Sequence, residues 1–188
     1  MDEKLGKNLT IDHVQHSVGG INGHAFRRLT HISMFMIPLI YYTKGLEIAS
    51  YFDINPKQLV SLICLSILLI EIIRLKSGIV VIGQREYESK QISALAWGAF
   101  SVSLVFLILP EGDNIGLDSG LYGIPLIFGL TFVDPLMGEI KRQKKDIKMA
   151  IMAGLLCSYV IWIGCHFWIN TPILVSIILA PLTVLGEL

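Results

Sequence analysis

The feature that most constrains this sequence is a series of long apolar runs, each close to the length of a membrane-spanning helix. Residues 57–75 read KQLVSLICLSILLIEIIRL, and residues 147–169 read IKMAIMAGLLCSYVIWIGCHFWI. A helix that crosses a lipid bilayer needs about 20 mostly apolar residues, with a range of about 17–25. Both runs therefore predict membrane-spanning helices, and 53% of the whole chain is hydrophobic.

Further runs of this kind predict an all-α fold, a polytopic transmembrane helix bundle with about six spans. Pro56, Pro110 and Pro172 lie at the ends of predicted spans, where proline does least damage to a helix. Pro38 and Lys44 interrupt the first span, which is the weakest of the six. The predicted spans are residues 29–51, 57–75, 91–110, 117–137, 147–169 and 172–188.

The chain divides into a polar cytoplasmic N-terminal segment, residues 1–28, and a transmembrane helical domain, residues 29–188. The first segment has mixed charge and no apolar core, so we expect no cleavable signal peptide. Cys64, Cys157 and Cys165 lie in apolar runs without a CxxC pair, which indicates neither a disulfide framework nor a zinc site. The chain has 15 basic and 15 acidic residues, a balance that argues against a nucleic-acid partner.

The basic residues predict how the chain is oriented in the membrane. All but two of the 15 Lys and Arg residues lie in the N-terminal segment, the second-to-third loop or the fourth-to-fifth loop. The two exceptions, Lys44 and Lys57, lie on the opposite side. Because cytoplasmic loops carry an excess of Lys and Arg, we expect an integral multi-pass membrane protein with both termini cytoplasmic.

Two pairs of ionisable residues stand at predicted span ends on this side, where membrane burial makes charge costly. Arg27 and His31 are four residues apart and share a helix face. They suit a phosphate clamp, since arginine is a bidentate donor, or a simple cationic anchor at the membrane surface. Glu71 and Arg74 are three residues apart, which permits an intrahelical ion pair that either ends the helix or belongs to a site.

The loop before the third span carries a third cluster. Arg85, Glu86 and Glu88 lie within GQREYESKQIS. This segment is either a solvated charged loop or a mixed-charge site for a metal–phosphate ligand. His13 and His16 form an HxxH pattern in the polar segment, which is a metal signal of low specificity.

A fourth cluster follows the glycine-rich fourth span, in FVDPLMGEIKRQKK. Asp134 comes directly after the apolar run, and Glu139 follows five residues later. Carboxylates can hold Mg²⁺, and the cations Lys141 and Arg142 can neutralise phosphate charge. The alternative is structural, since an aspartate followed by proline also makes a good turn at the membrane edge.

These four clusters, in this order, resemble the polyprenol kinase family, which includes dolichol kinase, phytol kinase and CTP-dependent diacylglycerol kinase. The resemblance implies a membrane-embedded lipid kinase that transfers phosphate from CTP, or another nucleotide, to a long-chain isoprenoid or lipid alcohol, with Mg²⁺. Its partners would be the nucleotide, the lipid alcohol and the bilayer; a homo-oligomer is left open. The matching pieces, spread over roughly residues 27–188, are RRLTHIS (27–33), EIIRLKSG (71–78), REYESKQISALAWGAFSVSLVFLILP (85–110) and FVDPLMGEIKR (132–142).

The resemblance also implies a role for each matching residue. Asp134 matches the family's aspartate and would hold the metal or accept the hydroxyl proton, with Glu71 and His31 as further catalytic residues. Glu139 would be a second metal ligand. Where kinase members carry a glycine-rich stretch, Asp134 is followed by PLMGEIKRQKK. The residues expected to bind the nucleotide are Arg27, Arg74, Arg85, Glu88, Lys141 and Arg142.

Two other classes of function stay open from the sequence. One is a CTP-dependent cytidylyltransferase that makes a CDP-lipid, which would need the same ingredients. The other is a non-enzymatic small membrane transporter or assembly protein. The sequence contains neither GxxxxGK[ST] nor GxGxxG, which excludes a Walker or Rossmann nucleotide site as far as motifs allow.

Overall fold

The computed structural model describes residues 17–144 and 146–186, and the regular structure in this part of the chain is helical. Two short 3₁₀ helices, Glu86–Lys90 and Gly116–Gly120, lie in loops. The predicted all-α bundle is therefore confirmed. Its α-helices are α1 Gly20–Ser33, α2 Met36–Ser50, α3 Pro56–Ser77, α4 Ala94–Ile108, α5 Gly123–Lys144, α6 Ile147–Ile169 and α7 Ile173–Leu185.

Three of the helices, α3, α5 over Gly123–Gln143, and α6, are long and apolar enough to cross a membrane. Helices α4 and α7 are apolar but shorter. Large apolar side chains face outward on α3 and α6, as at Leu69 (60% exposed), Leu156 (69%) and Val160 (65%). Extended apolar surface of this kind is typical of a membrane interaction. Among the six predicted spans, three thus have full spanning length.

The first predicted span, residues 29–51, is two helices rather than one. Between α1 and α2 the N–H of Met34 donates to His31 O at 3.2 Å, and the N–H of Ile37 donates to Met34 O at 3.0 Å. These are three-residue steps, as in a 3₁₀ helix. Pro38 explains the change, because it has no N–H to donate to Met34 O four residues earlier. The predicted boundary between the polar segment and the transmembrane domain falls inside α1.

The fourth predicted span, residues 117–137, ends too early. Helix α5 continues through Pro135 to Lys144, so Asp134 lies inside the helix and not in a turn at its end. Proline normally breaks a helix interior. Here Val133 and Met137, on either side of the proline, are both buried in one core cluster with side chains of α6 and α7. That packing holds the helix together across the proline.

From α2 onward, helices that follow one another in the chain pack as neighbours, which gathers alternate helix ends at each end of the bundle, and α1 packs against α5. At one end α1, the C-terminal end of α3, the N-terminal end of α4 and the second half of α5 come together; we call this the polar end. Helix α5 also approaches α6 closely, since a Cβ added to Gly154 would lie 2.5 Å from Met137 Sδ. Only a very small residue fits this crossing, as is common between membrane helices.

Candidate functional site

A groove of about 510 Å³ opens at the polar end and is the candidate functional site. Its polar lining includes Arg27 and His31 from α1, Arg85 from the loop before α4, and Asp134 from α5. These residues come from three separate segments of the sequence. Its apolar walls include Phe26, Met34, Ile82, Leu95, Trp97 and Leu130. The groove thus combines a charged edge with a long apolar surface.

His31 is held by the backbone of α5. Its Nε2 atom lies 3.0 Å from Leu130 O and 3.6 Å from Asp134 Oδ2. A carbonyl oxygen only accepts hydrogen bonds, so Nε2 must carry a proton and donate it to Leu130 O. In the singly protonated ring, Nδ1 is therefore the nitrogen that can accept a proton. Asp134 is 46% exposed at the groove edge, close enough to stabilise a positive charge on the ring.

Arg27 is held in place by acceptors on the side that faces away from the solvent. Its Nη1 donates to Glu88 Oε1 at 2.6 Å and lies 3.4 Å from Gly83 O. Glu88 is only 2% exposed, and it also accepts the backbone N–H groups of Arg85 at 3.1 Å and Ala94 at 3.0 Å. Glu88 does not line the groove. It holds Arg27 and the start of α4 in place rather than presenting its carboxylate to a ligand.

Arg74 is a structural anchor outside the groove. Its Nε and Nη2 donate to the two carboxylate oxygens of Glu71 at 2.9 and 2.8 Å. Its remaining donors reach the carbonyls of Ile79 (3.1 Å), Glu88 (2.8 Å) and Gln91 (2.8 Å). All five guanidinium N–H groups are thus used. We expected Glu71 and Arg74 at the site, and the structure instead places both beneath the loop that follows α3.

Glu139 lies on α5 and connects this helix to α1. Its carboxylate accepts hydrogen bonds from Arg28 on α1 and, on its own helix, from Arg142 at 2.6 Å and from Gln143. It does not line the groove, and neither do Lys141 and Arg142. Asp134 lines the groove and Glu139 does not, so the two carboxylates that we expected to hold a metal ion are not both in the groove. In the ranges 17–144 and 146–186, no three His, Cys, Asp or Glu side chains stand close enough to hold a metal ion.

His24 was not singled out from the sequence. Its Nε2 atom is buried, and none of the residues that the structure describes supplies a hydrogen-bond partner. Burial lowers the pKa of His24 below its ordinary value, and the nearby cations Arg28, Arg142 and Arg85 lower it further, against the opposite effect of Glu139. The i,i+4 spacing of His24 and Arg28 was the available signal. The HxxH pattern of His13 and His16 lies outside the described residues.

No family model, curated protein or solved structure matches this chain. The fold and the groove define a class of protein. It is an all-α bundle in which three of the described helices have membrane-spanning length and one end carries a mixed polar and apolar groove.

Proposed function

We propose that the chain is an integral membrane lipid kinase that transfers a phosphoryl group from CTP, or another nucleotide, to a long-chain isoprenoid or lipid alcohol. One observation carries the proposal. Arg27 and His31 on α1, Arg85 in the loop before α4 and Asp134 on α5 come from three distant segments of the sequence, yet they line one groove whose other walls are apolar. A lipid alcohol has the same division, a long apolar chain and one reactive hydroxyl.

The apolar walls suit the chain of the substrate. Leu95 is 60% exposed and Trp97 is 59% exposed, so both offer surface to an isoprenoid or acyl chain that enters from the bilayer. Burying such surface is favourable by about 25 cal/mol per Å². The hydroxyl would then lie at the charged edge, between His31 and the two groove arginines.

The polar edge suits the transfer itself. The substrate hydroxyl oxygen would form a bond to the γ-phosphorus, and the bond from that phosphorus to the β–γ bridging oxygen would break, releasing CDP. His31 Nδ1 would take the hydroxyl proton, and Asp134 would stabilise the resulting imidazolium. Arg27 and Arg85 would neutralise charge on the transferred group, the main task of a protein in phosphoryl transfer.

In this proposal, Mg²⁺ would bind only together with the nucleotide. Magnesium is commonly held by one or two carboxylates together with substrate phosphates, and Asp134 is the carboxylate that lines the groove. The ion would supply charge neutralisation on the phosphates. Lys141 and Arg142 lie on α5 beyond the groove, and their charges would attract the polyphosphate before it makes direct contacts.

The proposed topology has six crossings, α2 to α7, with both termini cytoplasmic. The supporting observation is that the groove cations lie at the polar end, as do Arg28 and Arg74, whereas Lys57 pairs with Glu111 at the other end of α3. An excess of Lys and Arg marks the cytoplasmic face. The groove would then open toward the compartment that contains the nucleotide.

The experiment uses the purified chain in detergent with CTP, Mg²⁺ and a panel of prenols and diacylglycerols. Asp134→Asn keeps the side-chain shape and removes its charge, and we expect it to lower phosphorylation by at least about 100-fold. The matched control is Asp113→Asn, an exposed aspartate in the loop after α4. Retained activity in Asp134→Asn, or a loss that follows unfolding in parallel melting curves, would remove Asp134 from the site.

A further inference from the structure

A second charged cluster lies between α1 and the C-terminal part of α5, outside the groove. Its members are His24 and Arg28 from α1 and Glu139 and Arg142 from α5. None of the four lines the groove. The cluster places two guanidinium groups, those of Arg28 and Arg142, against the carboxylate of Glu139.

His24 is the member that the fold alone does not explain. Its Nε2 atom is buried and, within the described ranges, has no hydrogen-bond partner. Buried polar atoms are nearly always paired, so such an atom calls for an explanation. The charged groups that face it are Arg28 on its own helix, Arg142 and Glu139 on α5, and Arg85 in the loop before α4.

Arg28 has N–H donors that are available to a ligand. Its hydrogen bond in the described structure runs from Nη2 to Glu139, which leaves Nε and Nη1 able to donate. Arg142 also contacts Glu139, with Nη2 at 2.6 Å from Oε1, so Arg28 shares this carboxylate with a second arginine. Guanidinium groups match phosphate oxygens in geometry as well as in charge. Basic pockets between helices at the cytoplasmic face are typical sites for phospholipid headgroups.

We propose that His24 and Arg28, together with Arg142, bind a phosphate group at the polar end, either on the headgroup of an anionic phospholipid or in a free phosphate compound. The proposal does not rest on the kinase activity, because these residues lie outside the groove. The phosphate accepts hydrogen bonds from His24 Nε2 and from Arg28. It also favours protonation of His24, so that binding strengthens as the pH falls.

The test measures the melting temperature of the purified full chain in a neutral detergent. The probes are short-chain phosphatidic acid, short-chain phosphatidylcholine and inorganic phosphate. A ligand that binds only the folded state raises the melting temperature in a concentration-dependent manner. A rise with phosphatidic acid but not with phosphatidylcholine supports a lipid headgroup, whereas a rise with inorganic phosphate supports a free phosphate compound.

Variants locate the site. Arg28→Gln and His24→Phe should each weaken binding about tenfold or more, since each removes a hydrogen bond to a charged group. Lys76→Gln removes an exposed cation elsewhere at the polar end and should leave binding unchanged. Arg142→Gln provides an independent variant should Arg28→Gln not fold. Asp134→Asn should bind as the wild type does, which separates this proposal from the kinase.

Two results would overturn the proposal. One is a wild-type melting temperature that none of the phosphate-bearing probes raises, which would leave the cluster as an ion-pair clamp between α1 and α5. The other is an equal loss of binding in Arg28→Gln and Lys76→Gln, which would show a general attraction of anions to the polar end and no site.

Discussion

Replacing Arg74 by Met should destabilise the protein more than any change at the groove. Arg74 is 8% exposed, and its guanidinium makes five hydrogen bonds. Two go to Glu71, and three go to carbonyls of the segment between α3 and α4, at Ile79, Glu88 and Gln91. Methionine fills similar volume but offers no donor, so Glu71 keeps its charge without its cation.

The magnitude follows from the burial of the pair. Breaking a buried ion pair by removing one partner costs about 3–5 kcal/mol, because the other charge stays buried. For a chain of this size, each kcal/mol corresponds to about 2–4 °C in melting temperature, so Arg74→Met should melt about 6–20 °C lower. Removing both charges in Glu71→Leu/Arg74→Met should recover part of this loss, since apolar replacements of buried pairs are often neutral.

The assay is thermal unfolding in one fixed detergent, with Lys76→Gln as a surface control expected within about 0.5 kcal/mol of the wild type. If Arg74→Met melted within about 2 °C of the wild type, the interpretation of Arg74 as a structural anchor would be wrong. A melting temperature of the double variant below that of Arg74→Met would likewise contradict the argument from an unpaired Glu71.

Two further predictions concern packing and pH. Gly154→Leu should cost about 1–3 kcal/mol by overpacking against Met137, whose Sδ would lie 2.5 Å from the added Cβ. A Cβ added at Gly164, on the same helix, would meet no such neighbour within 4 Å among the described residues, so Gly164→Leu should melt near the wild type. The pKa of His24 is lowered from 6.5 in the folded protein, so the unfolded chain binds more protons at acidic pH. The contribution of this residue to the free energy of unfolding is therefore complete above pH 6.5 and is lost as the pH falls through the folded-state pKa. Melting curves between pH 7.5 and pH 5 should therefore show a smaller acid loss in His24→Gln than in the wild type; an unchanged acid loss would contradict this role.

The uninterrupted helices could be predicted from local sequence. The run 147–169 coincides with α6, whose start is capped by Asp146 accepting the N–H of Lys148 at 2.9 Å. Helix α3 begins where Asn55 and Gln58 cap each other through two 2.9 Å hydrogen bonds. Such signals are contained within a few residues, so they can be read without knowing the tertiary structure.

The effect of proline inside a helix could not be predicted in this way. Pro38 lies in the first turn of α2, just after the break between α1 and α2, whereas Pro135 lies in the interior of α5. The difference is tertiary, because Val133 and Met137 pack on α6 and α7 on both sides of Pro135. A single sequence does not show which side chains other helices will bury.

Only part of the candidate site could be predicted, because local spacing shows which residues share a helix face but not which distant segments meet. Arg27 and His31 share a helix face by spacing alone, and both line the groove. Glu71 and Arg74 show the spacing of an ion pair, but the carbonyls that saturate Arg74 belong to a loop whose path the sequence does not reveal. The environment of His24 depends on Arg142, more than a hundred residues later in the chain.

The measurement that tests the central claim most directly follows the label from CTP into lipid. The purified chain is incubated with Mg²⁺, CTP that carries ³²P at either the γ or the α position, and one acceptor at a time: a long-chain prenol, a diacylglycerol or phosphatidic acid. We predict that γ label enters the lipid as a phosphate monoester, that α label does not, and that one CDP forms for each lipid phosphate. Transfer of α label to phosphatidic acid with release of pyrophosphate would identify a cytidylyltransferase instead, and transfer of neither label to prenols or diacylglycerols would contradict the account.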